Sequence, residues 1–209
     1  VMTLHDLKIA CPAYTMLARD GVCERCKGGR YSNLLKNRCI NNSLVQSGLV
    51  YLEAHLHSAL HSYSSNVDRF FVPSRFYSNK LIERGFDEYK LVYIPNAIDV
   101  SSYNTNYQPE NYFVYVGRWS QEKGISLLIQ ASANVGLPLK VVGTGPLEHA
   151  LKEQAAKLGA SVEFTGYLKG ADLRKVIANA KFTVLPSICY ENAPISVLES
   201  YALGTPVLG

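Results

Sequence analysis

The sequence predicts an α/β protein with parallel, doubly wound sheets. Two observations carry that prediction. From residue 112 to the end, short apolar runs alternate with helical segments without interruption, the pattern left by parallel strands joined through crossover helices. In addition, every unusual polar or glycine-bearing motif follows an apolar run, and in open α/β sheets the carboxyl ends of the strands are where ligands bind.

The elements follow in chain order. Residues 1–4 read as a buried strand, followed by His5 and Asp6. Residues 10–43 form a long polar segment with four cysteines. Leu44, Val45, Gly48, Leu49, Leu52, Leu56, Ala59 and Leu60 recur at helical spacing and predict a helix over 44–63. Residues 69–73 form a short strand. Ser74 is placed to cap a helix ending at Gly85. Residues 91–94 form another strand, broken by Pro95-Asn96. The polar, aliphatic-poor stretch 100–111 reads as a linker. Beyond it lie strands at 112–116, 139–142, 162–164, 182–185 and 206–208. Helices near 124–135, 147–158, 171–179 and 194–203 separate them. The expected organisation is therefore a first domain over 1–99 carrying the cysteine-rich insertion 10–43, and a second over 112–209.

Composition narrows the function. The chain is 47% hydrophobic and 18% charged, as globular proteins are. Its net charge of +4, from 21 basic and 17 acidic residues, suits an anionic ligand or an acidic membrane surface. No basic run is interleaved with aromatics, which argues against nucleic acid. No stretch is apolar enough to span a membrane and no signal peptide is visible. The opening on a strand and the stop at 206–209 read as cut ends. Five cysteines without a secretion signal point to a reducing compartment.

The segment from Glu191 through Asn192, Ala193, Pro194 and Ile195 to Glu199 is the richest in chemistry. Two carboxylates lie eight positions apart. Pro194 suits the first turn of a helix, Asn192 suits its cap, and Gly204 with Pro206 suits its end. The helix start would direct N–H groups and a positive dipole end toward an anion beside Glu191. Arg118 and Lys123 follow the first strand of the second domain, and Gly143-Thr-Gly145 follows the next. Both glutamates also fit an ordinary helix, and the glycines an ordinary tight turn. Cys11, Cys23, Cys26 and Cys39, spaced C-x11-C-x2-C-x12-C, suit a structural zinc site, with reduced thiols in a loose insertion as the alternative. His57 and His61 have ligand-compatible spacing, although a solvated helix face explains them better.

These motifs together resemble the retaining family 4 glycosyltransferases. The resemblance rests on Val116-Gly-Arg-Trp-Ser-Gln-Glu-Lys-Gly124, Val142-Gly-Thr-Gly-Pro146, Phe164-Thr-Gly-Tyr167, the Glu191–Glu199 segment and Ala202-Leu-Gly-Thr-Pro-Val207. In the first part it extends to Thr3-Leu-His-Asp6, Val72-Pro-Ser74 and Pro95-Asn-Ala-Ile-Asp99. It implies a GT-B fold of two Rossmann-like domains, here with an incomplete first domain and a second lacking its C-terminal end. It implies that Arg118 and Lys123 bind the donor diphosphate, that Gly117 and Gly143 belong to the donor-binding site, and that Tyr167 flanks the base. Glu199 would hold the ribose, and Glu191 and His5 the donor sugar. Asn192, Ala193, Pro194 and Ile195 would contact phosphate or sugar. The resemblance further implies a nucleoside-diphosphate sugar as donor, a glycan or lipid-linked precursor as acceptor, no catalytic cofactor, and a cytoplasmic setting at the inner membrane surface. A catalytically inactive nucleotide-binding or assembly module is the alternative.

Overall fold

The computed structural model describes residues 1–209. The chain forms two compact units, Val1–Asn96 with Cys189–Ala193, and Ala97–Ile188 with Pro194–Gly209. Both are α/β with parallel central sheets, as the sequence predicts.

The first unit has a three-stranded sheet in which β1 (Met2–Thr3) pairs with β4 (Phe70–Val72), and β4 with β5 (Leu91–Tyr93). Its core gathers Leu4, Leu7, Met16, Phe70, Val72, Tyr77 and Leu81. Ser74 caps helix α4 (Arg75–Ile82) by accepting from the Tyr77 amide, and Arg84 Nε donates to the Ala10 carbonyl. The segment 10–43, a long polar stretch in sequence, has regular elements of its own. It contains hairpin β2–β3 (Leu17–Ala18, Gly21–Val22) and helix α1 (Ser32–Asn37), anchored by fully buried Met16 and Leu34.

The long helix predicted over 44–63 is divided. Helix α2 runs Leu44–Ala59 and α3 runs Ser62–Asn66, with His61 between them in the left-handed region at φ 49°. His57 and His61 therefore do not share one continuous helix. The apolar periodicity marks the helix correctly but not its buried side. Val45, Leu49, Leu52, Leu56 and Leu60 are 59–75% exposed, whereas Ser47 is buried and Gly48 lies 3.8 Å, by the site of an added Cβ, from Leu35. Small residues face α1 because two helices approach closely there. Leu52→Glu is accordingly expected to change unfolding free energy by no more than about 0.5 kcal/mol, as for other solvent-facing substitutions, measured by urea denaturation.

The second unit has a five-stranded parallel sheet. Its strands are β6 (Phe113–Val116), β7 (Leu139–Val142), β8 (Val162–Gly166), β9 (Thr183–Val184) and β10 (Val207–Leu208). The spatial order is β8-β7-β6-β9-β10, so the chain winds outward from β6 in one direction and then in the other. Side chains alternate across β6 because successive strand residues point to opposite faces. Phe113 and Tyr115 join one core with helices α5 (Ile125–Val135) and α6 (Glu148–Leu158). Tyr112 and Val114 join another with α7 (Gly170–Ala178). Helix α8 (Ile195–Ala202) precedes β10. The polar stretch 100–111 is fixed onto this unit: the Glu110 amide donates to the Asn179 carbonyl, and Thr105 and Tyr107 lie against Gly204.

Candidate functional site

In the second unit the strand order reverses between β6 and β9, and parallel α/β sheets bind ligands outside the carboxyl ends of such neighbours. The loop after β6 carries Gly117, Arg118 and Lys123. Fully buried Tyr115 donates its hydroxyl to the Arg118 carbonyl at 3.0 Å, and buried Trp119 roots the residue that follows. The Trp119 amide donates to Thr144 and the Gly117 amide to Val142, so the loops after β6 and β7 are sewn together. The Gly143 amide donates to Gly166, bringing in the loop after β8. The loop after β9 is joined too, because the Ile188 amide donates to the Glu122 carbonyl at 2.9 Å.

Glycine is required at this junction for space as well as for backbone angle. A Cβ on Gly143 would lie 2.0 Å from the Gly117 carbonyl oxygen, and one on Gly145 would lie 2.3 Å from that of Trp119. The four strand-end loops are thus packed backbone to backbone. Arg118 and Lys123 belong to the loop that this frame holds. Sequence reading missed Tyr115 and Trp119, which position it; Trp119 is the one tryptophan in the chain.

Glu199 sits within α8, and Tyr103 donates its hydroxyl to Glu199 Oε1 at 3.2 Å. Burial lifts the Tyr103 phenol above its ordinary pKa and the nearby carboxylate adds to the effect, so the hydroxyl stays protonated and able to donate. The Arg174 guanidinium lies 5.4 Å over the Tyr103 ring. Tyr103 lies in the stretch read as linker, and no sequence signal marks it as a carboxylate partner. Tyr167 follows β8 and is 72% exposed, with its ring open to solvent.

Glu191, Asn192 and Ala193 belong, with Cys189 and Tyr190, to the first unit, although Ile188 before this segment and Pro194 after it belong to the second. Asn192 does not cap the helix. Its amide donates to the Leu4 and His5 carbonyls at 3.4 and 3.3 Å, and its carbonyl accepts from Ser74 Oγ at 2.7 Å. Ala193 holds φ 54°, and its carbonyl accepts from Asn96 at 2.8 Å. This short strap brings Glu191 to the strand end that carries His5, from 186 positions away in sequence. Helix α8 starts instead at Ile195 behind Pro194, which makes no side-chain cap and has no N–H of its own. The positive end of the helix is therefore three residues later than Asn192. Asn192→Ala is expected to cost about 1–3 kcal/mol, the usual loss for stranding backbone acceptors, and to make residues 189–193 more protease-sensitive. Urea unfolding and limited proteolysis measure both effects.

The four cysteines Cys11, Cys23, Cys26 and Cys39 line one cavity of about 10 Å³ in the first unit, with Leu17, Leu34 and Arg84. All are free thiols, and they are not gathered into a ready-made metal ligand shell. Burial pushes the Cys26 thiol up to about 12, with the neighbouring thiols acting in the same direction. Cys189 does not line the cavity.

Comparison with known proteins agrees with this fold. Residues 101–209 match the family model described as Glycosyl transferases group 1. The uncharacterized glycosyltransferase MJ1607 of Methanocaldococcus jannaschii is 34% identical over 105 residues, which is 47% of this chain and 27% of that protein. The O-antigen chain mannosyltransferase C of Escherichia coli is 33% identical over 101 residues, again 47% of this chain and 27% of the relative. The chain therefore spans well under half the length of the curated relatives it matches. Among solved structures, Anabaena Alr3699/HepE in complex with UDP and glucose superposes with a TM-score of 0.60 at 21% identity. The match covers 67% of this chain and 43% of that one and is a likeness of GT-B fold.

Proposed function

Because the chain belongs to the glycosyl transferases group 1 family, we propose that the protein is a retaining glycosyltransferase. It moves a sugar from a nucleoside-diphosphate sugar to a glycan or lipid-linked acceptor. The observation that supports this most is the stitching of the Arg118–Lys123 loop to its neighbours where the strand order reverses.

Transfer requires the bond between the anomeric carbon and the diphosphate to weaken. Negative charge then grows on the departing phosphate and positive charge on the sugar. The Arg118 fork matches phosphate oxygens in two places, and Lys123 adds a compact second charge. Held on a rigid frame, both groups meet the growing charge without reorganising, which is the main source of electrostatic catalysis. Glu199, oriented by Tyr103, takes the ribose hydroxyls. The proposal needs no protein nucleophile. The incoming hydroxyl attacks the face the diphosphate leaves and gives its proton to the departing phosphate oxygen, so the glycosidic bond forms with retained configuration and the nucleoside diphosphate departs.

A polymer-building or lipid acceptor fits the relatives, which include the O-antigen enzyme and a phosphatidyl-myo-inositol mannosyltransferase of Mycobacterium leprae. Work at the cytoplasmic membrane surface is part of this reading. No helix is long and apolar enough to cross a membrane.

The test is a thermal-shift screen against nucleoside diphosphates and their sugars, followed by transfer assays with NMR of the product. A ligand at 100 times its Kd stabilises the folded state by about 2.7 kcal/mol, which raises the melting temperature measurably. Inversion at the anomeric carbon would overturn the retaining assignment. Binding without transfer by the full-length protein would leave a nucleotide-binding module in its place.

A further inference from the structure

We propose that Cys11, Cys23, Cys26 and Cys39 hold a structural zinc ion as a tetrathiolate, outside the glycosyl-transfer machinery. Three features of the chain carry the inference.

The first is convergence. The four thiols come from three separate places: the turn after β1, the Cys-x2-Cys that follows hairpin β2–β3, and the residue just beyond α1. All four nevertheless line the same small cavity. Cys189, the remaining cysteine, stands apart from the cavity.

The second is the backbone around them. The Cys23 amide donates to Met16 across the hairpin at 2.7 Å, which aims the Cys-x2-Cys inward. Gly28 and Gly29, at φ 70° and 77°, turn the chain directly after Cys26. The Cys39 amide donates to Leu34 as α1 ends. The Cys11 amide donates to the Leu7 carbonyl at 2.7 Å, which fixes its place after β1.

The third is charge. Zinc binding displaces four thiol protons to solvent and leaves a centre of net charge −2. Arg84, whose side chain is only 7% exposed, lines the cavity, and Arg25 lies between the paired cysteines. The module is clamped to α4 through Glu24, which pairs with Lys80 at 2.8 Å and with Arg84 at 3.8 Å. Its apolar content is small: Ala10, Ala13, Met16 and Leu34 are its buried hydrophobic residues. Tetrahedral zinc supplies the centre such a module otherwise lacks, the thiols rotating inward to about 2.3 Å from the ion.

The experiment uses protein purified under reducing, chelator-free conditions. Elemental analysis is expected to give one zinc per chain. Native thiol titration is expected to report one reactive cysteine, rising to five after denaturation with a chelator. Cys26→Ser should lose the zinc and Cys189→Ser should keep it. Should Cys26→Ser fail to fold, cobalt exchange into the wild-type protein decides: intense visible bands of a tetrahedral tetrathiolate centre support the assignment. Protein that neither contains zinc nor takes up cobalt, with all five thiols titrating natively, overturns it, as do disulfides among the four found by mass spectrometry. Nucleoside-diphosphate binding is measured alongside, so loss of zinc and failure of the transferase reading are read separately.

Discussion

Arg118→Ala in the full-length protein is expected to lower kcat by about 100- to 1000-fold, the usual result of removing one preorganised donor from a developing negative charge. Lys123→Ala is expected to fall in the same range. The fold should survive Arg118→Ala, because the loop is held by its backbone. The Arg118 carbonyl accepts from Tyr115, the Trp119 amide donates to Thr144, and the Ile188 amide donates to Glu122. None of these bonds uses the guanidinium. The loss should be concentrated in kcat, since the charge these cations meet is larger in the transition state than in the bound donor. Steady-state kinetics with a melting curve on the same sample measures both. Unchanged turnover in both variants would remove the diphosphate role.

Gly124→Ala is expected to prevent the second unit from folding. Gly124 ends the 3-10 turn after Lys123 at φ 66°, where any side chain costs about 1–2 kcal/mol. An added Cβ would also stand 1.9 Å from the Pro186 carbonyl oxygen, an overlap no rotamer relieves because the neighbour is backbone. Moving Pro186 would pull β9 and the loop behind it. The combined cost is expected to exceed about 4–5 kcal/mol, the range reserved for substitutions with a specific structural cause. Gly159→Ala is the control. It shares a positive φ of 61° but has nothing within 4 Å of its Cβ site, so it should lose only the strain of about 1–2 kcal/mol. Circular dichroism and urea unfolding of the two variants separate overlap from strain. Equal losses would refute the close-packing account.

Both expectations start from residues legible in the sequence. Parallel strands leave continuous apolar runs, so the strand at Leu139–Val142 is found to the residue and its neighbours to within a residue or two. Arg118 and Lys123 stand out in the sequence because their motif follows a strand, and Glu199 because its helix does. What stayed hidden depends on tertiary placement. Asn192 has the composition of a helix cap, yet its Oδ1, the atom a cap would use, accepts from Ser74 Oγ, while its amide donates to the Leu4 and His5 carbonyls. Leucines on α2 satisfy a helical period while facing outward, since periodicity identifies a stripe but not what covers it. Tyr103 reaches Glu199 across 96 positions, and nothing local marks that pairing. The convergence of four cysteines was suggested by their spacing, but the cavity they share is a property of the fold.

The strap of residues 189–193 means that the polypeptide crosses between its two units three times, after Asn96, Ile188 and Ala193. Dissecting the gene at the first crossing would therefore not yield two self-sufficient halves. The leading half would lose the pentapeptide that ties Leu4, His5, Ser74 and Asn96 together, and the trailing half would carry it as an unanchored loop ahead of α8. A split-gene experiment should thus recover the first half in native form only when the missing pentapeptide is returned to it, by fusion or as a free peptide.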